Sequence, residues 1–157
     1  MKRLLPLLLL IIIAGVGCST QTPSSTPIPS STTSPAELDL SGRGLTAIPS
    51  DVFSRTGLER LDLSNNKLTG APQSQIGQLE NLTFLDLSDN ALTGLPAELG
   101  RLSKLKTLDV SNNKLTGLPM ELGNLTQLRL LDVSGNAYSK QDLDGIAAKL
   151  TNTEIRR

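Results

Sequence analysis

Leucines return along this chain at a nearly fixed spacing. Leu38, Leu61, Leu85, Leu108 and Leu131 recur at equal intervals except that Leu61 to Leu85 is one position longer, and each opens the same kind of phrase: LDLSGRGL, LDLSNNKL, LDLSDNAL, LDVSNNKL and LDVSGNAY. Within a phrase apolar and polar residues alternate, as in Leu61, Asp62, Leu63 and Ser64, which is the period of a short strand with leucines on one face and Asp and Ser on the other. Three phrases run on into Thr-Gly and a proline, then an apolar residue, Gly and Leu, as in Pro96–Leu102 (PAELGRL) and Pro119–Leu125 (PMELGNL). After the fifth phrase the period changes. Leu143, Ile146, Ala147 and Leu150 recur at helical intervals, and Ser139 followed by Asp142 resembles a capping box, so a helix of about 12 residues is predicted over 139–150. Thr153 to Ile155 is predicted as a last short strand.

Strands recurring at so constant an interval are too regular for a sandwich. One unit buries a handful of leucines at about 1.5 to 3 kcal/mol each, against an ordering cost on the order of 1.5 kcal/mol per residue, so no unit folds alone. The units must stack, which lines their strands into one parallel sheet and requires closed ends.

Residues 36–157 therefore resemble the leucine-rich-repeat family. The resemblance implies an α/β solenoid, a horseshoe with a short parallel sheet on its concave side and a C-terminal capping helix. It also implies that Asn66, Asn90, Asn113 and Asn136 turn the chain out of each strand, with their amides bonded to backbone inside the coil. Arg43 holds that position in the first phrase and marks a terminal repeat. The longer Leu61–Leu85 interval comes from one extra residue within Gln73 to Gln75, where a local bulge on the convex side is expected. Tyr138 replaces a leucine and is expected in the core.

The chain before the repeats has a different character. Lys2 and Arg3 precede an unbroken apolar run over 4–17 (LLPLLLLIIIAGVG). Such a run fits a secretory signal and falls short of the ~20 residues a membrane-spanning helix needs. It ends in Gly15, Val16 and Gly17 before Cys18, and so resembles the lipobox of bacterial lipoprotein signal peptides, although that family usually has Leu where this chain has Gly15. The resemblance implies that residues 1–17 are removed and that Cys18 is acylated; the alternative is an ordinary signal peptide that leaves a free cysteine. Two or three acyl chains at ~0.8 kcal/mol per buried methylene anchor a protein durably. Ser19 follows the cysteine, and the family's sorting rule then implies the outer membrane if the host is Gram-negative. Residues 19–35 contain six Ser, five Thr and four Pro without a charge, so 18–35 is read as a lipidated cysteine and tether. Its composition also permits a glycan-bearing stalk.

Composition excludes several functions. Histidine is absent and Cys18 is the only cysteine, so there is no intramolecular disulfide and no imidazole for a catalytic base or zinc site. Basic and acidic residues are equal in number, and loss of Lys2 and Arg3 leaves a small acidic excess, which gives no electrostatic case for nucleic acid. A shallow open sheet offers no pocket for catalysis, and no residues remain for a separate catalytic domain like that of leucine-rich ubiquitin ligases. The chain is read as a non-enzyme without cofactors, a monomer that is exported, lipid-anchored at the bacterial cell envelope and binding a protein or peptide. The alternative is a structural envelope protein without a specific ligand.

Comparing the five copies column by column locates surface chemistry. Asp39, Asp62, Asp86, Asp109 and Asp132 form one constant column and Ser41, Ser64, Ser88, Ser111 and Ser134 another. The varied columns are Glu37, Arg60, Phe84, Thr107 and Leu130, then Gly42, Asn65, Asp89, Asn112 and Gly135. Neighbouring carboxylates ~4.8 Å apart repel by ~0.8 kcal/mol even in water. Compensation could come from a cation, for which Asp86, Ser88, Asp89 and Asp109 supply oxygens, from a basic ligand, or from solvent, the serines, Arg60, Lys106 and Arg129. LDLS is an ordinary phrase of the family, so no metal site is assigned. The candidate partner-binding residues are Arg60, Asp62, Phe84, Asp86, Asp89, Thr107, Asp109 and Leu130, with Phe84 the one aromatic expected to point out of the sheet.

Overall fold

The computed structural model describes residues 36–157; the expected signal segment, Cys18 and the expected tether lie outside them. Strands β1 (Glu37–Asp39), β2 (Arg60–Asp62), β3 (Thr69–Gly70), β4 (Phe84–Asp86), β5 (Ala91–Leu92), β6 (Thr107–Asp109), β7 (Leu130–Asp132) and β8 (Glu154–Arg156) occur with one α-helix, α1 (Lys140–Ala147). Six of the strands make a parallel sheet in the order β1-β2-β4-β6-β7-β8, and β3 and β5 pair separately. Equivalent residues face each other: Leu61 is opposite Leu85, Leu85 opposite Leu108 and Leu108 opposite Leu131. The longer coil between Leu61 and Leu85 therefore costs the sheet no register.

Alternation sorts the side chains as the sequence predicts. Leu61, Leu63, Leu85, Leu87, Leu108, Val110, Leu131 and Val133 are wholly buried, while the residues between them face outward. Behind the sheet, each of four coils carries a five-residue 3-10 helix: Ser50–Ser54, Ser74–Gln78, Ala97–Arg101 and Met120–Asn124. These helices stack closely enough to demand glycine. A Cβ on Gly100 would lie 2.5 Å from the backbone oxygen of Glu121, and one on Gly77 2.7 Å from that of Glu98.

The extra residue is absorbed without a bulge in the sheet or a longer helix. Gln73 stands extended (φ −60°, ψ 140°) before its 3-10 helix, in the place taken by Pro49, Pro96 and Pro119 elsewhere. Its Nε2 donates to the Ile48 carbonyl of the preceding coil at 3.3 Å.

The C-terminal cap differs in detail from expectation. Helix α1 runs over Lys140–Ala147, shorter than 139–150, and Ser139 precedes it without a side-chain capping bond. Asp142 is one carbon shorter than the Glu of a capping box, and its carboxylate instead accepts the Leu118 backbone N–H at 3.3 Å. Leu143, Ile146 and Leu150 are buried, so the helix covers the last coil as predicted. The final strand is Glu154–Arg156, one residue later than expected, because the Thr153 hydroxyl turns back to donate to the Leu128 carbonyl at 2.8 Å. Tyr138 packs half-buried against the core.

Candidate functional site

The solvent-facing side of the six-stranded sheet is built from two columns. In the first, Glu37, Arg60, Phe84, Thr107, Leu130 and Glu154 stand opposite one another on successive strands. The Arg60 guanidinium lies over the Phe84 ring, with Cζ 3.4 Å from its centroid. Such a stack is worth about 0.5 to 1 kcal/mol at an exposed site and more once water is excluded. Phe84, Thr107 and Leu130 are half-buried, forming a low apolar strip beyond the stacked arginine.

The second column is Asp39, Asp62, Asp86, Asp109 and Asp132, closed by Arg156 opposite Asp132. Each aspartate folds back on the serine two residues later. Oδ1 of Asp86 accepts the Ser88 N–H at 2.9 Å and the Ser88 hydroxyl at 2.6 Å, and the other four repeat this pair. The carboxylates thus hold the strand ends, and the serines supply part of the compensation that their repulsion requires. The ladder is nevertheless uneven. Burial pushes the Asp86 carboxyl up from its ordinary range against the Ser88 hydrogen bonds, and Asp109 and Asp62 push it the same way. At the open end the Ser41 hydrogen bonds, with Arg43 and Arg60 nearby, hold Asp39 below that range. Among the described residues no group of three His, Cys, Asp or Glu is arranged to hold a metal ion.

Behind the strands, the asparagine ladder ties coil to coil. Asn113 Oδ1 accepts the Leu92 N–H at 2.9 Å, while Nδ2 donates to the carbonyls of Leu87, Val110 and Ser111 at 2.9 to 3.1 Å. Asn66, Asn90 and Asn136 repeat that arrangement. At the Arg43 position of the first coil the backbone N–H donates to Asn66 Oδ1 at 3.0 Å and the guanidinium to the Asp39 carbonyl at 3.4 Å. The sequence profile described as a leucine-rich repeat region matches residues 57–151. The chain belongs to the leucine-rich-repeat family.

Solved leucine-rich-repeat structures share this architecture. A leucine-rich-repeat protein of Leptospira interrogans is 39% identical, with a TM-score of 0.67 over 71% of this chain and 28% of that one. The ectodomain of the Arabidopsis thaliana membrane receptor kinase GASSHO1/SCHENGEN3, solved in complex with Casparian strip integrity factor 2, is 33% identical, with a TM-score of 0.63 over 71% of this chain and 13% of that one. Internalin C2 of Listeria monocytogenes is 26% identical, with a TM-score of 0.66 over 76% of this chain and 50% of that one. The chain thus spans half or less of the length of these relatives. No curated protein sequence matches it. The leucine-rich-repeat fold is typically one of protein recognition.

Of the residues singled out from sequence, Arg60, Asp62, Phe84, Asp86, Thr107, Asp109 and Leu130 share the outer face of the leucine-rich-repeat sheet. Asp89 does not stand among them. It lies past the strand end with φ at 53°, as Asn65 does at 53° and Asn112 at 52°, while Gly42 and Gly135 lie at 64° and 67°. That column varies only among Gly, Asn and Asp because its backbone is left-handed, so its variation reports conformation and not surface chemistry. The restricted alphabet was the available signal. The Arg60–Phe84 stack had none in either residue alone.

Proposed function

We propose that this leucine-rich-repeat protein is an exported recognition module, held at a bacterial cell envelope by acyl chains on Cys18 and by the tether 18–35. It binds a protein or peptide across the outer face of its sheet, with Arg60, Phe84, Thr107 and Leu130 as the contact strip and Asp62, Asp86 and Asp109 alongside. The observation that carries this reading is the Arg60–Phe84 stack at the centre of an otherwise shallow face. Arginine and aromatic side chains dominate interface energies, and a pre-stacked guanidinium loses little freedom when a partner covers it. The family's role in recognition supports the reading, as does the receptor ectodomain solved with its factor.

The test is selection of peptides from a displayed random library on the full chain, followed by calorimetry. Phe84→Ala is expected to weaken selected peptides by about 30-fold, while Met120→Ala on the far side leaves them unchanged. If every selected peptide binds Phe84→Ala as tightly as the unmodified chain, the face is wrongly assigned. The anchor is tested separately: Cys18→Ser should move the protein from the membrane to the soluble fraction, and its retention in the membrane at the unmodified level would remove the lipid from the proposal.

A further inference from the structure

We propose that Lys106 and Arg129 form a receiving site for an acidic side chain of the partner, beside the Phe84–Leu130 strip; the proposal rests on the recognition reading above and names the chemistry of its ligand. The residues immediately before the strands make a column of their own: Ala36, Glu59, Thr83, Lys106, Arg129 and Thr153. Along it the charge changes from acidic to basic. The two cations sit on adjacent coils whose backbones are fastened together, since the Arg129 N–H donates to the Lys106 carbonyl at 2.8 Å and the Leu130 N–H to the same oxygen at 3.1 Å. Their backbones are held together, and like charges on neighbouring coils repel.

Among the described residues neither of them makes an ion pair. The ion pairs there are Arg55–Asp51 and Arg156–Glu154. Glu154, the acid on the next strand, is committed to Arg156 at 2.8 Å. Lys106 and Arg129 open onto a cleft of about 390 Å³ that Thr126, Gln127, Leu128 and Asn152 complete. The residues lining it thus include two cations, two amides and a hydroxyl, at an open space large enough for a carboxylate and its water. The cleft at the opposite end of the face, lined by Glu37, Leu38, Asp39, Arg60 and Asp62, has the reverse character and suits no anion.

Placement selects the kind of anion. Thr107 and Leu130 of the apolar strip directly follow Lys106 and Arg129, so the cleft lies one residue from the strip along the chain, where the chain enters the strands. A polypeptide carrying an acidic residue near an apolar one engages both features at once. A phosphate ion or lipid headgroup would use only the cleft.

Two measurements on the full-length chain in detergent test this. First, inorganic phosphate is titrated while the amide resonances of Lys106, Arg129 and Asn152 are followed; saturable shifts are expected, and their loss in Lys106→Gln/Arg129→Gln. Second, peptides whose binding depends on Phe84 should carry Asp or Glu, and replacing that residue by its amide should weaken them about tenfold or more on the unmodified chain but not on the double variant. Both side chains are exposed, so the variant is expected to fold, which its melting curve checks. Absence of saturable phosphate shifts overturns the site. Phe84-dependent peptides that need no acid overturn it while leaving the recognition face standing. Should the double variant, in the Cys18→Ser background that removes the anchor, lose binding to phosphatidylglycerol vesicles yet keep its peptide affinity, the site serves a headgroup and the acidic-partner assignment falls. Finding no Phe84-dependent peptide removes the recognition reading, and the acidic-partner assignment with it.

Discussion

Replacing Asn113 by Ala should be among the most damaging single changes in the solenoid, and its cost can be worked bond by bond. Asn113 is only 8% exposed and connects to four backbone groups. Three of those keep another partner, because the Leu87 carbonyl also accepts Asn90 Nδ2, the Val110 carbonyl Asn136 Nδ2 and the Ser111 carbonyl the Asp89 N–H. Only the Leu92 N–H would be left alone. An orphaned buried polar group costs about 1 to 3 kcal/mol, so with one group orphaned and three carbonyls each losing one of two donors the loss should be about 2 kcal/mol. Domains of this kind have roughly 5 to 15 kcal/mol in total, so a urea melt followed by far-ultraviolet circular dichroism resolves the change readily. Asn113→Asp is the sharper probe. It keeps the acceptor for Leu92 but turns an oxygen towards three carbonyls, so at neutral pH it should be less stable than Asn113→Ala. The introduced carboxyl would have its folded-state pKa raised by burial and by those carbonyls, so the deficit should shrink as pH falls and the carboxyl protonates. A loss under about 1 kcal/mol for Asn113→Ala, or an Asp variant as stable as the original, would refute the donor–acceptor scheme.

Other expectations follow from the same geometry. Gly100→Ala forces a methyl to within 2.5 Å of the Glu121 backbone oxygen and should cost about 1 to 3 kcal/mol in the same melts, with no change in the peptide contact strip. Asp89→Ala places an ordinary side chain at φ 53° and should cost about 1 kcal/mol, whereas Asp89→Gly should be neutral or better. The open end and the middle of the aspartate ladder should respond oppositely to loss of charge. Asp86 has its folded-state pKa raised, so its ionisation weakens the fold as pH rises through that value; Asp86→Asn keeps the acceptor for Ser88 and should be at least as stable at neutral pH, an advantage that vanishes in acid. Asp39 has its pKa lowered, so it contributes stability above the ordinary carboxylate range that is lost as pH falls through the folded value; Asp39→Asn should be slightly less stable at neutral pH. Thermal melts at neutral and acid pH compare the two.

The scaffold was legible because it is written five times. A leucine at each turn of the period fixes the strands and their neighbours, and period-two alternation fixes which side faces the core, so the register Leu61–Leu85–Leu108–Leu131 could be read without coordinates. What escaped depends on partners a column does not contain. Asp39 and Asp86 occupy the same phrase and fold onto the same serine, yet their carboxyls are pushed in opposite directions because one is at an exposed end and the other is buried between two acids. Ser139 and Asp142 have the spacing of a capping box, but the Leu118 N–H, a full coil away from Asp142, takes the carboxylate. Arg60 and Phe84 are likewise one coil apart, and their stacking depends on a rotamer choice that sequence spacing does not fix. Lys106 and Arg129 read in the sequence only as counter-charges to the aspartates, because their joint role depends on the cleft opened by Asn152 of the cap.

The asparagine ladder also governs how such a gene can lengthen or shorten. Each coil offers the next the same carbonyls and N–H groups that it receives from the one before, as Asn90 does with Leu63 and Asn113 with Leu87. Excising or duplicating one whole period therefore rejoins two surfaces that already match, and the product is a shorter or longer protein with the same seams. A single-residue insertion has a harbour in the extended stretch before the 3-10 helix where Gln73 sits, whereas one inside the strand phrase would shift an asparagine out of reach of its carbonyls. Variation in this lineage should accordingly arrive as whole coils or as solitary residues at that point, and recombination between repeats becomes a way to redraw the outer strip without disturbing the scaffold beneath it.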